Sequence, residues 1–342
     1  MLRRIALTGA CLAWAASAFA TCKIVKIAEI PVTIDHNRAF IDAQINGQDI
    51  KVMVDTGSGM SFLWQNEAER LGLPMREIVS EHMYGLGGEA MTFAATAKHF
   101  QMGTFVGDQL DLAVVGTMTD ARRAPLVLGD DFFSHFTTEF DLANGVIRLF
   151  RPEDCQPVQV LYWSTTYSLA ELGSFANWDP QIKLNVIVNG KRVLAILDSG
   201  AGLSDIEQRV AEGAGVVKAE ADSTLTQTGI SGRRVDTWLG YFATLAVGDE
   251  VLHNAKFQVG ELFSADRVEK TGSRLTFAPE NVPQMLLGCD FFLSHRILVF
   301  PKERKLLFTY NGGPVLQAVR SVAAWKPDAQ QGDGSAVAVA TH

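Results

Sequence analysis

The chain has 342 residues, enough for two domains of ordinary size. It is 47% hydrophobic and 20% charged, which fits a globular protein with a sizeable core. Lys and Arg number 30 against 38 Asp and Glu, and this acidic balance argues against nucleic acid or an anionic membrane surface as a partner.

The N-terminus reads as a targeting segment. Arg3 and Arg4 form a basic start, Ile5 to Ala16 is a short apolar run, and Ala18-Phe19-Ala20 is a small-residue cleavage site. The apolar run is too short to anchor in a bilayer. Residues 1–20 are therefore expected to be a signal peptide cut after Ala20, placing the mature chain in the periplasm or outside the cell. The paired arginines also fit twin-arginine export, but an ordinary secretory signal is the plainer reading. The mature chain keeps 28 basic and 38 acidic residues, a charge of −10 with His neutral. No later apolar run approaches membrane-spanning length, so no stable membrane insertion is expected.

Cys11 leaves with the signal. Cys22 lacks the aliphatic context of a lipobox, because Phe19 stands where such a residue is needed. In an oxidising compartment Cys22 and Cys155 can pair, tying the mature N-terminus to the end of the first half. Cys289, in an apolar run, reads as a buried free thiol.

Lys23 to Ile34 alternates loosely as an opening strand. Phe40 to Ile45 is a second strand, Asn46-Gly47 is a strong hairpin signal, and Asp49 to Val54 returns to deliver Asp55. The second half repeats this: Gln181 to Val188, the turn Asn189-Gly190, then Arg192 to Leu197 delivering Asp198. Turn Asn and Asp are nine residues apart in both halves. The delivered motifs are Asp55-Thr56-Gly57-Ser58 and Asp198-Ser199-Gly200-Ala201. A short helix is expected after each, near 65–73 and 207–216. Then comes a glycine-rich tip, Tyr84-Gly85-Leu86-Gly87-Gly88 in one half and Gly229-Ile230-Ser231-Gly232 in the other. Their first glycines stand 30 and 31 residues past the Asp, and each reads as the end of a hairpin.

Each half closes alike. Leu126-Val127-Leu128-Gly129 leads to Asp130-Asp131-Phe132-Phe133, and Met285-Leu286-Leu287-Gly288 leads to Cys289-Asp290-Phe291-Phe292. Hairpins follow, over 140–150 and 297–310. The expected division is an N-terminal lobe over 21–153, a linker over 154–160, a C-terminal lobe over 161–312 and a flexible tail over 313–342. The seven histidines show no metal-ligand spacing.

These motifs resemble the pepsin/retropepsin superfamily of aspartic proteases. The resemblance rests on the two Asp-Thr/Ser-Gly stretches and the two hydrophobic-hydrophobic-Gly elements, and it spans both halves. It implies an all-β fold with minor helix: a duplicated acid protease fold, two β-barrel-like lobes with the active site between them. It implies that Asp55 and Asp198 share a proton, activate a water and polarise a peptide carbonyl, without metal, cofactor or covalent intermediate. Thr56, Gly57, Ser58, Ser199, Gly200 and Ala201 would support the two turns, and the two glycine tips would be flaps over a peptide or protein substrate. Pepsins carry one flap, whereas a retropepsin dimer carries two. The chain thus looks like a fused retropepsin dimer and is expected to act as a monomer. The competing reading is a non-catalytic periplasmic module of the same fold that only binds peptides. The Ser58 hydroxyl is expected to donate to the carboxylate of its own turn, which Ala201 cannot do, giving a mildly acidic working pH.

Overall fold

The structure, a computed structural model, describes residues 21–85, 88–118, 124–173, 180–219, 224–228, 234–263, 282–312, 315–316 and 321–322. The expected signal peptide, Leu86-Gly87 and Gly229-Ile230-Ser231-Gly232 lie outside them.

The first half runs β1 (Lys23–Pro31), β2 (Thr33–Asp35), β3 (Arg38–Ile45), β4 (Gln48–Val54), β5 (Phe62–Trp64), α1 (Gln65–Arg70), β6 (Met75–Gly85), β7 (Gly88–Met102), β8 (Phe105–Val115), β9 (Leu126–Leu128), α2 (Asp130–Phe133), β10 (Thr137–Asp141) and β11 (Val146–Glu153). A one-turn helix, α3 (Pro157–Val160), sits in the expected linker. The second half runs β12 (Ser168–Glu171), β13 (Lys183–Val188), β14 (Lys191–Leu197), β15 (Asp205–Glu207), α4 (Gln208–Gly213), β16 (Leu225–Thr228), β17 (Arg234–Val247), β18 (Glu250–Gly260), β19 (Met285–Leu287), α5 (Cys289–Ser294), β20 (His295–Phe300) and β21 (Lys305–Tyr310).

The halves fold by the same rules. In each hairpin the turn Asn and Gly both take positive φ: 52° and 76° at Asn46-Gly47, 45° and 81° at Asn189-Gly190. That backbone matches the twist of the flanking strands, and Asn and Gly tolerate it best. The register follows, Ile45↔Gln48 in one half and Val188↔Lys191 in the other. The strand after the hairpin then pairs in parallel with a distant three-residue strand, β4 with β9 and β14 with β19. That short strand also pairs antiparallel with the strand beyond the Asp turn, β5 or β15. Closing pairs β3–β7 and β13–β17 make each half a six-stranded barrel of the same strand order.

The alternation of side chains sets the two faces of each wall. Val52, Val54, Leu63, Leu126 and Leu128 point into the main core, as do Leu197, Ile206, Met285 and Leu287. Burying a side chain of this size fully is worth about 1.5–3 kcal/mol. The aromatics of α2 and α5 join the same core, and Phe140 meets Phe292 edge-on at 5.3 Å across the two halves.

A third sheet joins the halves, in the order β1-β11-β10-β20-β21-β12. It reads the same from either end, with the seam at Thr138↔Val299, Glu139↔Leu298 and Phe140↔Ile297. A disulfide between Cys22 and Cys155 fastens β1 to the start of the linker, with the Cα atoms 4.5 Å apart. Cys289 is free and buried, as expected. Two pieces of the segment expected to be a flexible tail are held to the body of the protein. Leu316 is buried in the core, where its apolar side chain escapes water, and β22 (Ser321–Val322) adds to the open edge of β2. Among the described residues no helix is long and apolar enough to cross a membrane.

Candidate active site

Asp55 and Asp198 stand where β4 and β14 end. Each backbone N–H is the last bond of its strand, Asp55 N–H donating to the Leu128 carbonyl at 3.0 Å and Asp198 N–H to the Leu287 carbonyl at 2.8 Å. The chain then turns so that two N–H groups point back at the carboxylate. Gly57 and Ser58 both donate to Asp55 Oδ1 at 3.0 Å, and Gly200 and Ala201 donate to Asp198 Oδ1 at 2.9 and 3.0 Å. Four bonds repeat one pattern about a pseudo-twofold axis.

The hydroxyl residues lock the turns together. Thr56 Oγ1 donates to the Leu197 carbonyl at 2.6 Å and accepts from Ser199 N–H at 3.0 Å. Reciprocally, Ser199 Oγ donates to the Val54 carbonyl at 2.9 Å and accepts from Thr56 N–H at 3.1 Å. Both side chains are fully buried, so each bond is formed away from competing water.

Gly57 and Gly200 are required for another reason. A Cβ on Gly57 would lie 2.5 Å from Asp198 Oδ2, and a Cβ on Gly200 would lie 2.6 Å from Asp55 Oδ2. Each glycine thus makes room for the carboxyl of the opposite turn. The two carboxyls are hydrogen-bonded to each other. Burial lifts the Asp55 carboxyl well above the usual carboxylate range, and the charge of Asp198 and their shared hydrogen bond lift it further. Burial also raises Asp198. The Ala201 N–H, the bond from Asp55, the Gly200 N–H and the charge of Arg38 oppose that rise. Such a pair holds one proton between its members.

With this geometry in view, two stretches match family models of known proteases. Residues 41–135 match the gag-polyprotein aspartyl protease model, and residues 184–291 match a second aspartyl protease model. The matches fall in tandem, one per barrel, and each includes one Asp of the pair. The chain belongs to the retropepsin-like aspartyl proteases. No curated protein matches it. Solved structures that do include the crystal structure of Basic 7S globulin from soybean, at 9% identity and a TM-score of 0.42 over 84% of this chain and 95% of that one. A likeness that slight carries no argument.

In this retropepsin-like chain the Ser58 hydroxyl does not do what the sequence suggests. It donates to the Met60 carbonyl at 2.7 Å, and only the backbone N–H of Ser58 serves Asp55. A carbonyl two residues on is in easy reach of a serine side chain, and it wins over the carboxylate. Ser58 and Ala201 therefore contribute the same group to their turns.

A further set of three bonds, not foreseen, braces each turn from behind. Asp131 accepts Ser61 N–H at 2.9 Å and Ser61 Oγ–H at 2.6 Å, while Ser61 Oγ accepts Gly129 N–H at 2.9 Å. In the second half Asp290 accepts Ser204 N–H at 3.0 Å and Ser204 Oγ–H at 2.7 Å, and Ser204 Oγ accepts Gly288 N–H at 2.9 Å. The signal was present: Ser61 and Ser204 each stand six residues past the catalytic-type Asp. Burial raises the Asp131 pKa and pushes Asp290 up to about 6, against the pull of the bonds each accepts. Gly129 and Gly288 belong to the same brace, since a Cβ would lie 2.6 Å from the Ser58 carbonyl oxygen or from the Leu203 carbonyl carbon.

The halves differ at the residue after each of those glycines. Asp130 is buried, and its Oδ2 accepts Ile182 N–H from the other half at 2.9 Å. Burial, with the charges of Asp55, Asp131 and Asp198, pushes its pKa well above the usual range, against the Ile182 bond. Cys289 takes the matching place, and burial pushes its thiol up. Of the expected flap residues, Tyr84 and Gly85 end β6 and Gly88 opens β7, paired as Tyr84↔Glu89 and Gly85↔Gly88. The expected hairpin is thus in place as far as it is described.

Proposed function

We propose that the protein is an aspartic endopeptidase that cleaves peptide bonds with a water held between Asp55 and Asp198. The observation that carries this reading is the mutual fit of the two turns, each glycine open to the carboxyl of the other half. One carboxylate, ionised, takes a proton from the water as it attacks. The other, protonated, hydrogen-bonds the scissile carbonyl and steadies the oxyanion. The field of Arg38 favours the negative charge on Asp198, whereas Gln181 occupies the equivalent place in the other half and its amide donates to the Gly57 carbonyl. Asp198 is then the base and Asp55 the acid at the start of the cycle.

The chain acts as a monomer in this reading, because each half supplies one aspartate. It acts outside the cytoplasm after loss of residues 1–20, and the Cys22–Cys155 disulfide fits an oxidising compartment. The decisive experiment is a peptide-library digest with the mature protein beside Asp55→Asn and Asp198→Asn. Cleavage that both variants abolish, and that a pepstatin-type mimic of the tetrahedral state blocks, is the expected result. Peptide binding without cleavage would replace the reading with that of a binding module.

A further inference from the structure

Asp130 is tied to both active-site turns at once. Its backbone N–H donates to the Ser58 carbonyl of the first turn at 2.8 Å. Its side-chain Oδ2 accepts Ile182 N–H from the other half at 2.9 Å. The Ile182 carbonyl in turn accepts Leu197 N–H at 2.9 Å, one residue before Asp198. Gln181, next to Ile182, returns the link by donating its amide to the Gly57 carbonyl. The strand end that delivers Asp198 thus hangs from the first turn through one carboxyl. In the second half Cys289 N–H repeats the backbone bond, to the Ala201 carbonyl at 2.7 Å, but its thiol accepts no bond across the halves among the described residues.

The Asp130 carboxyl sits where a charge is poorly served. The residue is 1% exposed, and Oδ1 has no hydrogen-bond partner among the described residues. A buried charge is ordinarily paired or held by several donors. Here a single N–H, that of Ile182, bonds the carboxyl among the described residues. Burial disfavours the charged form, and the charges of Asp55 on the first turn, Asp131 on its own helix and Asp198 on the second turn disfavour it further, against the Ile182 bond. The Arg38 guanidinium acts on Asp198 and Cys289, in the second half. Lys183, beside Ile182 in the chain, alternates with it to the opposite face of its strand. A neutral acid keeps the Ile182 bond, because its carbonyl oxygen still accepts. It leaves one hydroxyl unpaired, which costs far less than an unpaired buried charge.

Resting on the protease reading for its effect on rate, we propose that Asp130 is a positioning residue for the dyad and that it works as an uncharged acid. It holds the Asp198 strand to the first turn without setting a third negative charge beside the two carboxyls that share a proton.

The test compares Asp130→Asn, which copies the neutral acid, with Asp130→Ala, which removes the bond. In Asp130→Ala kcat on one peptide at mildly acidic pH should fall by about tenfold or more, and KM should change less, because the dyad is misplaced and the substrate site is not. Asp130→Asn should stay within about threefold of the unmutated protein. Melting curves read the charge state without a peptide. A carboxyl whose folded pKa is raised stabilises the fold below its ordinary value near about 4, and that contribution is lost as pH rises towards the folded value. Asp130→Asn has no such proton to lose, so its melting temperature should gain on that of the unmutated protein from about pH 4 to about pH 7. Carbon-13 NMR of the aspartate carboxyls gives a third readout. The titration of the Asp55–Asp198 pair should change in Asp130→Ala and persist in Asp130→Asn. If Asp130→Ala does not fold, Asp130→Cys, which copies the residue of the second half at this place, takes its part. Asp130→Asn as damaging as Asp130→Ala, or a melting difference that does not grow with pH, overturns the neutral acid. An unchanged kcat and dyad titration in Asp130→Ala overturns the positioning role. If the unmutated protein cleaves nothing, the protease reading fails, and the melting and NMR series still decide this proposal.

Discussion

Replacing Gly57 by Ala adds one methyl group where the first turn faces the Asp198 carboxyl of the other half. Gly57 does not have positive φ, so the backbone accepts alanine without strain and the whole effect is steric. The new Cβ would lie 2.2 Å from Asp198 Cγ, against the 3.4 Å at which ordinary contact begins, so the carboxyl must retreat by about 1.2 Å. A misplacement of that size in a reacting group costs on the order of 100-fold in rate. The pH profile should change as well. Moving the carboxyls apart weakens the repulsion that helps hold a proton on Asp55, so its pKa falls and the alkaline limb moves to lower pH. Folding should survive, because the displaced group is a side chain at the cleft rather than core. The assay is kcat/KM on one peptide across pH, with a melting curve at each pH. Gly200→Ala should behave alike, since its Cβ would lie 2.6 Å from Asp55 Oδ2. If Gly57→Ala kept more than half its activity with an unmoved alkaline limb, the carboxyls would not meet as described.

Three further outcomes follow from the same geometry. Ser58→Ala should leave the acid limb within about 0.2 pH units of its place, because the hydroxyl serves Met60 and not Asp55; a larger shift in the rate profile would mean that the hydroxyl reaches the carboxylate in solution. Arg38→Gln removes a cation that favours ionised Asp198, so the pKa rises and the acid limb should move up by a few tenths of a unit; the shift stays small because the guanidinium is exposed and screened, and a downward shift would contradict the assignment. Thr56→Val keeps the shape but strips one buried donor and one buried acceptor from the lock between the halves, leaving the Leu197 carbonyl and the Ser199 N–H without their bonds; a loss of about 2–5 kcal/mol in chemical denaturation, recovered in Thr56→Ser, is expected.

What could be read from the sequence was whatever repeats at a fixed offset. Asp55 and Asp198, their hairpins at Asn46 and Asn189, the short helices and the hydrophobic-hydrophobic-Gly strands all recur in order, and local chemistry suffices to place each one. The barrels follow, because a parallel three-residue strand between two others leaves few alternatives. The third sheet did not show, since the pairing of Glu139 with Leu298 joins residues 159 apart and no periodicity encodes such a seam. The clasps at Ser61 and Ser204 were legible by offset but masked by how ordinary serine is near a turn. The Ser58 hydroxyl was misjudged for a related reason. A sequence shows that a donor is near, but the choice between a carboxylate and a carbonyl at equal reach depends on the path of the loop.

The departures from symmetry carry as much meaning as the symmetry. Two half-molecules meeting as a dimer must present identical walls, identical residues beside the dyad and an identical seam. Once fused, each copy is free to drift. At the seam Glu139 faces Leu298, its own equivalent in the other half. The glutamate is fully buried and accepts Arg148 Nη1 at 2.6 Å from its own half and Arg296 Nη2 at 2.7 Å from the other. A buried glutamate with two guanidiniums is a poor source of net stability but a strong constraint on register, because removing either partner leaves a charge uncompensated. The pairing could not arise at a true twofold axis, where a second glutamate would stand against the first. The same reasoning applies beside the dyad, where Asp130 accepts a bond from Ile182 across the halves and Cys289 returns none among the described residues. Fusion thus lets one half give the other a contact that is not returned, a freedom that a twofold dimer lacks.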